Sequence, residues 1–302
     1  MVQAFRKRLA ASRAGGGPRT RDRITSPGAP LSRLEGRYSL EIGQFSDTGC
    51  VRKRNEDSIA VAQPATADKK RPGLLAIVAD GMGGHQAGDK ASQLAVDVIR
   101  QTFAASDAAP DKALAEAFQA ANRAILNEAS HDPALTGMGT TATALAIVDG
   151  RGWLAHVGDS RLFRLRNGRL EQLSEDHTLI AAMLRDGLVT PQQARDHPNR
   201  HVLSRAMGTH PTLDVMLAPV GLALGDAYLL CSDGLHDLVD AGEIRDCLIE
   251  RPPQAACAFL VELARRRGGY DNISVIAVAC GRQPGATSAP RDTRDTVHHP
   301  HD

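Results

Sequence analysis

The sequence predicts an α+β protein built as a four-layer α/β/β/α sandwich: two packed, mainly antiparallel sheets flanked by helix pairs. Three observations predict it. Short aliphatic runs rich in Val, Ile and Leu fall into two sets along the chain, each reading as buried strands. Each set is followed by a pair of amphipathic helical patterns, not by the strict strand–helix alternation of a parallel doubly wound sheet. The core must also be aliphatic, because hydrophobic residues make up 42% of the 302-residue chain and aromatic ones only 3%.

The elements follow in order. Strands are expected at 38–45, 58–62 and 74–79, then helices at 86–104 and 111–128; in the second, Leu114, Ala117, Phe118, Ala121, Ile125 and Leu126 recur at helical spacing. Strands return at 140–149, 152–157 and 162–166, the last closed by an Asn167-Gly168 hairpin turn. A polar stretch, 174–213, holds a short helix at 178–186 and a Pro/His-rich segment at 190–201. A strand at 227–231, helices at 243–249 and 253–266 and a strand at 273–279 complete one domain spanning 36–280. Residues 1–35 are rich in Arg, Gly, Ala and Pro with few large apolar side chains, the composition of a disordered basic extension. An Arg-rich, acid-poor leader would also fit a transit peptide, but the flexible extension is the preferred reading. The tail, 281–302, is polar and unpatterned; its histidines fit a solvated tail better than a metal site.

Composition excludes several function classes. The formal net charge is +1, which leaves no basic footprint for nucleic acid, and the scarcity of aromatics removes base-stacking platforms. No apolar run approaches the roughly 20 residues of a spanning helix. Five cysteines without CxxC spacing read as reduced thiols in a cytoplasmic protein, not as disulfides or a zinc site.

Five aspartates stand where apolar runs meet tight turns: Asp57, Asp80, Asp159, Asp233 and Asp271. Asp80, Asp159 and Asp233 end their strands, whereas Asp57 and Asp271 begin theirs, so antiparallel pairing allows all five to share one sheet edge. Two unit charges about 4 Å apart repel by roughly 4 kcal/mol at an effective dielectric near 20. Such a cluster needs protons or cations, and the economical reading is a multinuclear site for hard divalent metals. The loop DGMGGHQAGDKAS (80–92) places four glycines within eight positions beside one of these acids. It lacks GxGxxG, because Gln86 takes the last glycine position, and it has no GK[ST]. A plain strand-to-helix turn is one reading. A metal turn, with Asp80 bridging two cations and the Gly81 carbonyl as a further ligand, is the better one; oxygen donors suit Mg²⁺ or Mn²⁺.

Seven segments in order, GCVRKRNEDS (49–58), VADGMGGHQAGDKAS (78–92), GMGTTATAL (137–145), HVGDSRLFRLRNG (156–168), LSEDHT (173–178), CSDGLHD (231–237) and YDNISV (270–275), give the chain a resemblance to bacterial metal-dependent serine/threonine protein phosphatases of the type 2C family. The resemblance covers residues 40–280. It implies hydrolysis of phosphoserine and phosphothreonine in proteins by a metal-activated bridging water, reversing a serine/threonine kinase. By position it implies that Asp80 bridges two ions, Mn²⁺ or Mg²⁺, with Asp233 and Asp271 completing the first site and the Gly81 carbonyl serving the second. Asp57, with Glu56 behind it, would hold the second ion's waters, and Asp159 with Asp233 a third ion. Asn272 is expected to support this set. Arg52 matches the arginine that grips the substrate phosphate, a task suited to a planar guanidinium; Lys53 and Arg54 are the adjacent competitors.

The general acid is less well marked. Met82 stands where the eukaryotic branch has a histidine, and His85, three residues on, is the candidate substitute; the rival reading is that it caps the next helix or touches a metal-bound water. Ser160 and Ser232 are read as turn hydrogen-bonders, and His156 and His177 as structural. Residues 179–213 correspond to the family's flap, with His197, Arg200 and His201 as candidate substrate contacts. The expected partners are phosphorylated proteins and a cognate kinase, with no nucleic acid, no membrane span and a monomeric state. Two rivals are a non-catalytic phosphoprotein-binding pseudophosphatase, whose signature would be a missing metal acid, and a hydrolase of small phosphomonoesters or nucleotides.

Overall fold

Strand alternation sorts the apolar side chains of this chain into three separate layers. The structure, a computed structural model, describes residues 38–62, 73–83, 87–195 and 197–282; the expectations for residues 1–35, for most of the tail and for His85 lie outside these. In β3 (Gly73–Met82) Leu75, Ile77 and Ala79 pack toward one helix pair, while Leu74, Ala76 and Val78 pack toward the opposite sheet. Both faces of the strand are covered, which is why it reads as a continuous apolar run without polar alternation.

The first sheet contains β2 (Asp57–Ala62), β3, β5 (Ala142–Val148), β6 (Arg151–Val157) and β9 (Met216–Val220) in that order, with the two-residue β4 (Gly139–Thr140) beside β3. The second has the order β1 (Tyr38–Asp47), β11 (Ile273–Arg282), β10 (Ala227–Cys231), β7 (Arg161–Arg166) and β8 (Arg169–Gln172). All pairings are antiparallel. Helices α1 (Ala87–Ala105) and α2 (Pro110–His131) cover the first sheet through Ile99, Phe103, Leu114 and Phe118. Helices α6 (Ala241–Glu250) and α7 (Pro253–Arg266) cover the second through Ile244, Leu260 and Val261. Between the sheets lie Leu145, Leu154, Leu162, Tyr228, Leu230 and Ile276. This is the expected four-layer α/β/β/α sandwich.

Local chemistry explains the boundaries. Asn167 and Gly168 both take positive φ (50° and 75°) in the β7–β8 turn, as the twist of a two-residue hairpin requires. Helix α6 starts on a capping box in which Asp240 and Glu243 satisfy each other's backbone N–H groups. The expected 140–149 strand is split at Thr141, whose amide donates to the Asp80 carbonyl at 2.9 Å and whose hydroxyl accepts from the Asp80 amide at 3.0 Å. Strand β11 runs on through Arg282, two residues past the expected domain end, because Tyr38 pairs with it there. The flap carries α3 (Leu179–Arg185) and α4 (Pro191–Arg195). It returns to the body through the Thr140–Met207 bridge and the buried Asn122, which accepts from the Gly208 amide at 2.8 Å. Among the described residues no helix is long and apolar enough to cross a membrane.

Candidate metal centre

The acids gather at one end of the sandwich, but not along one sheet edge. Asp57 opens β2 and stands opposite Asp80 of β3 in the register of the first sheet. Asp233 follows β10 and opens the one-turn helix α5 (Asp233–His236), while Asp271 precedes β11, so these two belong to the second sheet. Asp159 lies on the connection from β6 to β7, where the chain passes between sheets. The single-edge expectation is therefore corrected. Because the sheets pack face to face, rims from both can contribute. Ser232 joins the two directly: its hydroxyl donates to Asp57 Oδ2 at 2.7 Å and accepts from the Ser274 amide at 3.0 Å.

The electrostatics match the crowding. Burial pushes the Asp57 carboxyl up to about 7, and the charges of Asp233 and Asp271 add to this against the hydrogen bond from Ser232. Asp159 is likewise raised to about 7 by burial and by Asp233. Asp80 and Asp233 are raised for the same reasons: burial first, then neighbouring carboxylates. One oxygen of Asp57 and one of Asp233 are buried without any hydrogen-bond donor. Buried, unpaired carboxylate oxygens are costly, and their setting among further carboxylates is a donor set for hard divalent cations. The residues present thus fit Mn²⁺ or Mg²⁺.

A frame of backbone contacts fixes the set. Gly81 donates its amide to the Glu56 carbonyl at 3.0 Å, and a Cβ on Gly81 would lie 2.0 Å from the Gly88 carbonyl oxygen, so the Asp80 turn packs directly on the start of α1. Asn272 clamps the β1–β2 loop. Its Oδ1 accepts from the Glu56 amide at 2.8 Å, and its Nδ2 donates to the carbonyls of Thr48 and Arg54 at 3.0 and 2.9 Å. Of the three consecutive basic residues, Arg52 is the one turned to the acids: its Nη2 donates to Asp271 Oδ2 at 2.6 Å, and Glu56 lies 3.9 Å from its Nη1. Arg54 instead pairs with Asp89 at 3.6 Å. Glu56 is raised by burial, an effect opposed by Arg52.

Ser160 shares a 2.6 Å hydrogen bond with the Thr141 hydroxyl, and with Ser232 bonded as above both serines are engaged in the turns. His156 is fully buried between the Thr143 hydroxyl and the Glu175 carbonyl, and burial lowers it to about 4. His177 is buried beside it, the ring centroids 4.8 Å apart. All five cysteines are free, four of them buried. Sequence reasoning passed over Asp237 and His236. Asp237 lies four residues after Asp233, one helical turn away on the same face, and that spacing was the available signal. Among the described residues, one trio of metal-capable side chains has its ligand atoms within 4.8 Å of one another: Asp233, Asp237 and the flap residue His201.

Comparison with known proteins agrees with this geometry. The Protein phosphatase 2C family profile matches residues 51–251. The serine/threonine protein phosphatase PstP of Mycobacterium tuberculosis is 40% identical over 244 residues, covering 78% of this chain and 44% of that protein. The chain thus spans less than half the length of that relative. The serine/threonine phosphatase stp of Listeria welshimeri is 37% identical over 239 residues, covering 77% of this chain and 93% of that protein. Among solved structures, the catalytic domain of the serine/threonine protein phosphatase PstP in complex with two manganese ions superposes with a TM-score of 0.70 at 36% identity, covering 82% of this chain and all of that one (100%).

Proposed function

The chain belongs to the protein phosphatase 2C family, and on that premise we propose that it is a metal-dependent phosphatase of phosphoserine and phosphothreonine in proteins, opposing a serine/threonine kinase. The observation that carries this reading is the buried carboxylate cluster with unpartnered oxygens on Asp57 and Asp233 and a guanidinium at its margin. No acid of the expected set is missing, which argues against a non-catalytic binding module.

In this reading Asp80, Asp233 and Asp271 hold one ion. The Gly81 carbonyl and Asp57, with Glu56 behind it, serve a second, and Asp159 supports a third. The core ions are Mn²⁺ or Mg²⁺. Such ions lower the pKa of water and offset charge on the transferring phosphoryl group. Asp80 stands opposite Asp57 on rigid strands, so the two carboxylates are set before any substrate arrives, and orientation adds to the rate. Arg52 is half-exposed and paired to Asp271, itself assigned to a cation. Once that charge is neutralised the guanidinium is free to meet two phosphate oxygens. Asn272 positions Arg52 and Glu56 by clamping their loop. The proton for the departing serine or threonine oxygen is assigned to His85 on sequence position alone. Five free thiols fit a cytoplasmic location, and we read the active unit as a monomer.

The test assays a phosphothreonine peptide and a nucleotide with Mn²⁺, with EDTA and with Asp233→Asn. Peptide hydrolysis lost under EDTA and in the variant is the expected result. Activity surviving both would exclude the metal mechanism, and preference for the nucleotide would move the substrate class.

A further inference from the structure

Two of the three most exposed large apolar side chains among the described residues stand beside the acid cluster. They are Val51, 60% exposed, and Tyr270, 64% exposed. Each directly precedes a residue of the candidate centre, Val51 before Arg52 and Tyr270 before Asp271, and those two are joined at 2.6 Å. The backbone makes the pairing. The Cys50 amide donates to the Gly269 carbonyl at 2.8 Å, and a Cβ on Gly49 would lie 2.1 Å from the Asp271 carbonyl oxygen. The two segments therefore run in contact, and they carry Val51 and Tyr270 to the surface on the Arg52 side of the centre.

The tyrosine is propped there. Gly268 and Gly269 both take positive φ (121° and 48°), so the chain leaves α7 by a turn that side-chain-bearing residues rarely adopt. A Cβ on Gly268 would lie 2.5 to 2.8 Å from three atoms of the Tyr270 side chain. The ring thus rests on the bare backbone of Gly268 while most of its surface faces solvent. A single exposed apolar side chain is ordinary. Two that border one ion pair, with the ring held in place, form a platform that loses little side-chain freedom on contact.

We propose that Val51 and Tyr270 form a specificity platform for a large apolar side chain directly flanking the phosphoserine or phosphothreonine of a protein substrate. This platform rests on the phosphatase reading, because Arg52 fixes where the phosphate lies. Consecutive residues of an extended peptide are about 3.3 to 3.6 Å apart, so a phosphate on Arg52 brings a flanking residue within reach of the pair. Covering the pair removes apolar surface from water, whereas a charged flank would lose hydration there without gaining a partner. Lys53, exposed on the same loop, suits an acidic residue further along the substrate. The platform is separate from the flap: neither Val51 nor Tyr270 lines the cavity of about 700 Å³ whose wall includes Ile180, Leu184 and Ala194.

The experiment measures kcat and KM of the full-length chain with Mn²⁺, on phosphothreonine peptides that differ only in having Leu, Gly or Lys on both sides of the phosphoresidue. It compares the natural sequence with Tyr270→Phe, Tyr270→Ala and Val51→Ser, all at exposed positions, so the fold is kept. The expected result in the natural sequence is a preference in kcat/KM of about tenfold for Leu over Gly, with Lys poorest. It should be carried by KM, because a contact made equally before and during reaction leaves kcat alone. Tyr270→Phe should keep the preference, Val51→Ser should weaken it and Tyr270→Ala should abolish it. No preference in the natural sequence, or one that survives Tyr270→Ala, would overturn the platform and leave the phosphatase reading standing. A loss confined to kcat would also overturn it, since Tyr270 would then act by supporting Asp271. Sedimentation of the natural sequence and Tyr270→Ala tests a second copy as the occupant, and a dimer that the substitution dissolves would overturn the platform too. Hydrolysis of none of the peptides by the natural sequence would overturn both readings.

Discussion

Asp57 and Asp80 face each other as a register pair across β2 and β3, each a carboxylate on a rigid strand at the rim of the first sheet. Opposed residues in an antiparallel pair have Cα atoms about 4.5 to 5.5 Å apart, and like charges so placed destabilise the pairing. The fold holds this arrangement under strain that only cations or protons relieve. Asp80→Asn removes one charge while keeping the shape. In EDTA at neutral pH the variant should be more stable than the natural sequence by about 1 to 2 kcal/mol, while its phosphatase activity falls by at least about a hundredfold. Urea unfolding of the stripped proteins is the check. A variant less stable than its parent would refute the account of stored repulsion.

Asn272 meets the arm that carries Arg52 and Glu56 through three hydrogen bonds, accepting one and donating two. At about 1 kcal/mol net for each bond, Asn272→Ala should cost about 2 to 3 kcal/mol. It should also raise KM for a phosphopeptide more than it lowers kcat, because the loop that positions Arg52 loosens. Asn272→Asp keeps the acceptor for Glu56 and loses both donations, so it should retain only part of the defect's relief. Equal KM values in all three proteins would show that the clamp does not set Arg52.

Much of this was legible in the sequence because both sheets are covered on both faces. Leu74 to Ala79 and Ala144 to Val148 are apolar throughout, so strands announced themselves without any register being known. β9 did not: as an edge strand it alternates partly buried and exposed residues and carries Pro219, so it reads as loop. Helix α5, with four residues, is shorter than any periodic signal. The acids were visible as residues, but their division between two sheets was not, because strand order is a non-local property that a local turn motif does not encode. The approach of His201 to Asp237 was hidden for the same reason, the two being separated in sequence by β9, β10 and α5.

Gly81 tests how tightly the Asp80 turn is held. A Cβ there would sit 2.0 Å from the Gly88 carbonyl oxygen and 2.6 Å from that of Glu56, both backbone atoms that move only with α1 or β2. Gly81→Ala should therefore destabilise the protein by about 3 kcal/mol and abolish metal-supported activity. Gly221→Ala is the control. Its Cβ meets nothing nearer than 4.0 Å, and the change should stay within about 0.5 kcal/mol. Thermal melts with and without Mn²⁺ distinguish the two, and similar behaviour of both variants would contradict the packing argument.

His156 gives the protein a dependence on pH that is separable from the metal site. Its ring is fully buried, and burial holds it neutral down to about 4 against an ordinary value of 6.5. Below 6.5 the unfolded chain takes up a proton that the folded chain refuses, so the unfolded state binds more protons and stability falls as pH falls. The loss begins near 6.5, grows until about 4 and then levels, with no contribution above 6.5. Between pH 6.5 and 5 the effect amounts to about 2 kcal/mol at full strength. His156→Gln removes the titration, and its amide has donors to offer the Glu175 carbonyl. The stability gap between the natural sequence and this variant, measured by urea unfolding in EDTA, should shrink by about 2 kcal/mol from pH 7.5 to pH 5. Taking the difference cancels the carboxylates, whose raised values act in the opposite direction. A gap that stays constant across that range would mean that His156 is protonated in the folded state, and that its contacts to Thr143 and Glu175 are not those of a neutral ring.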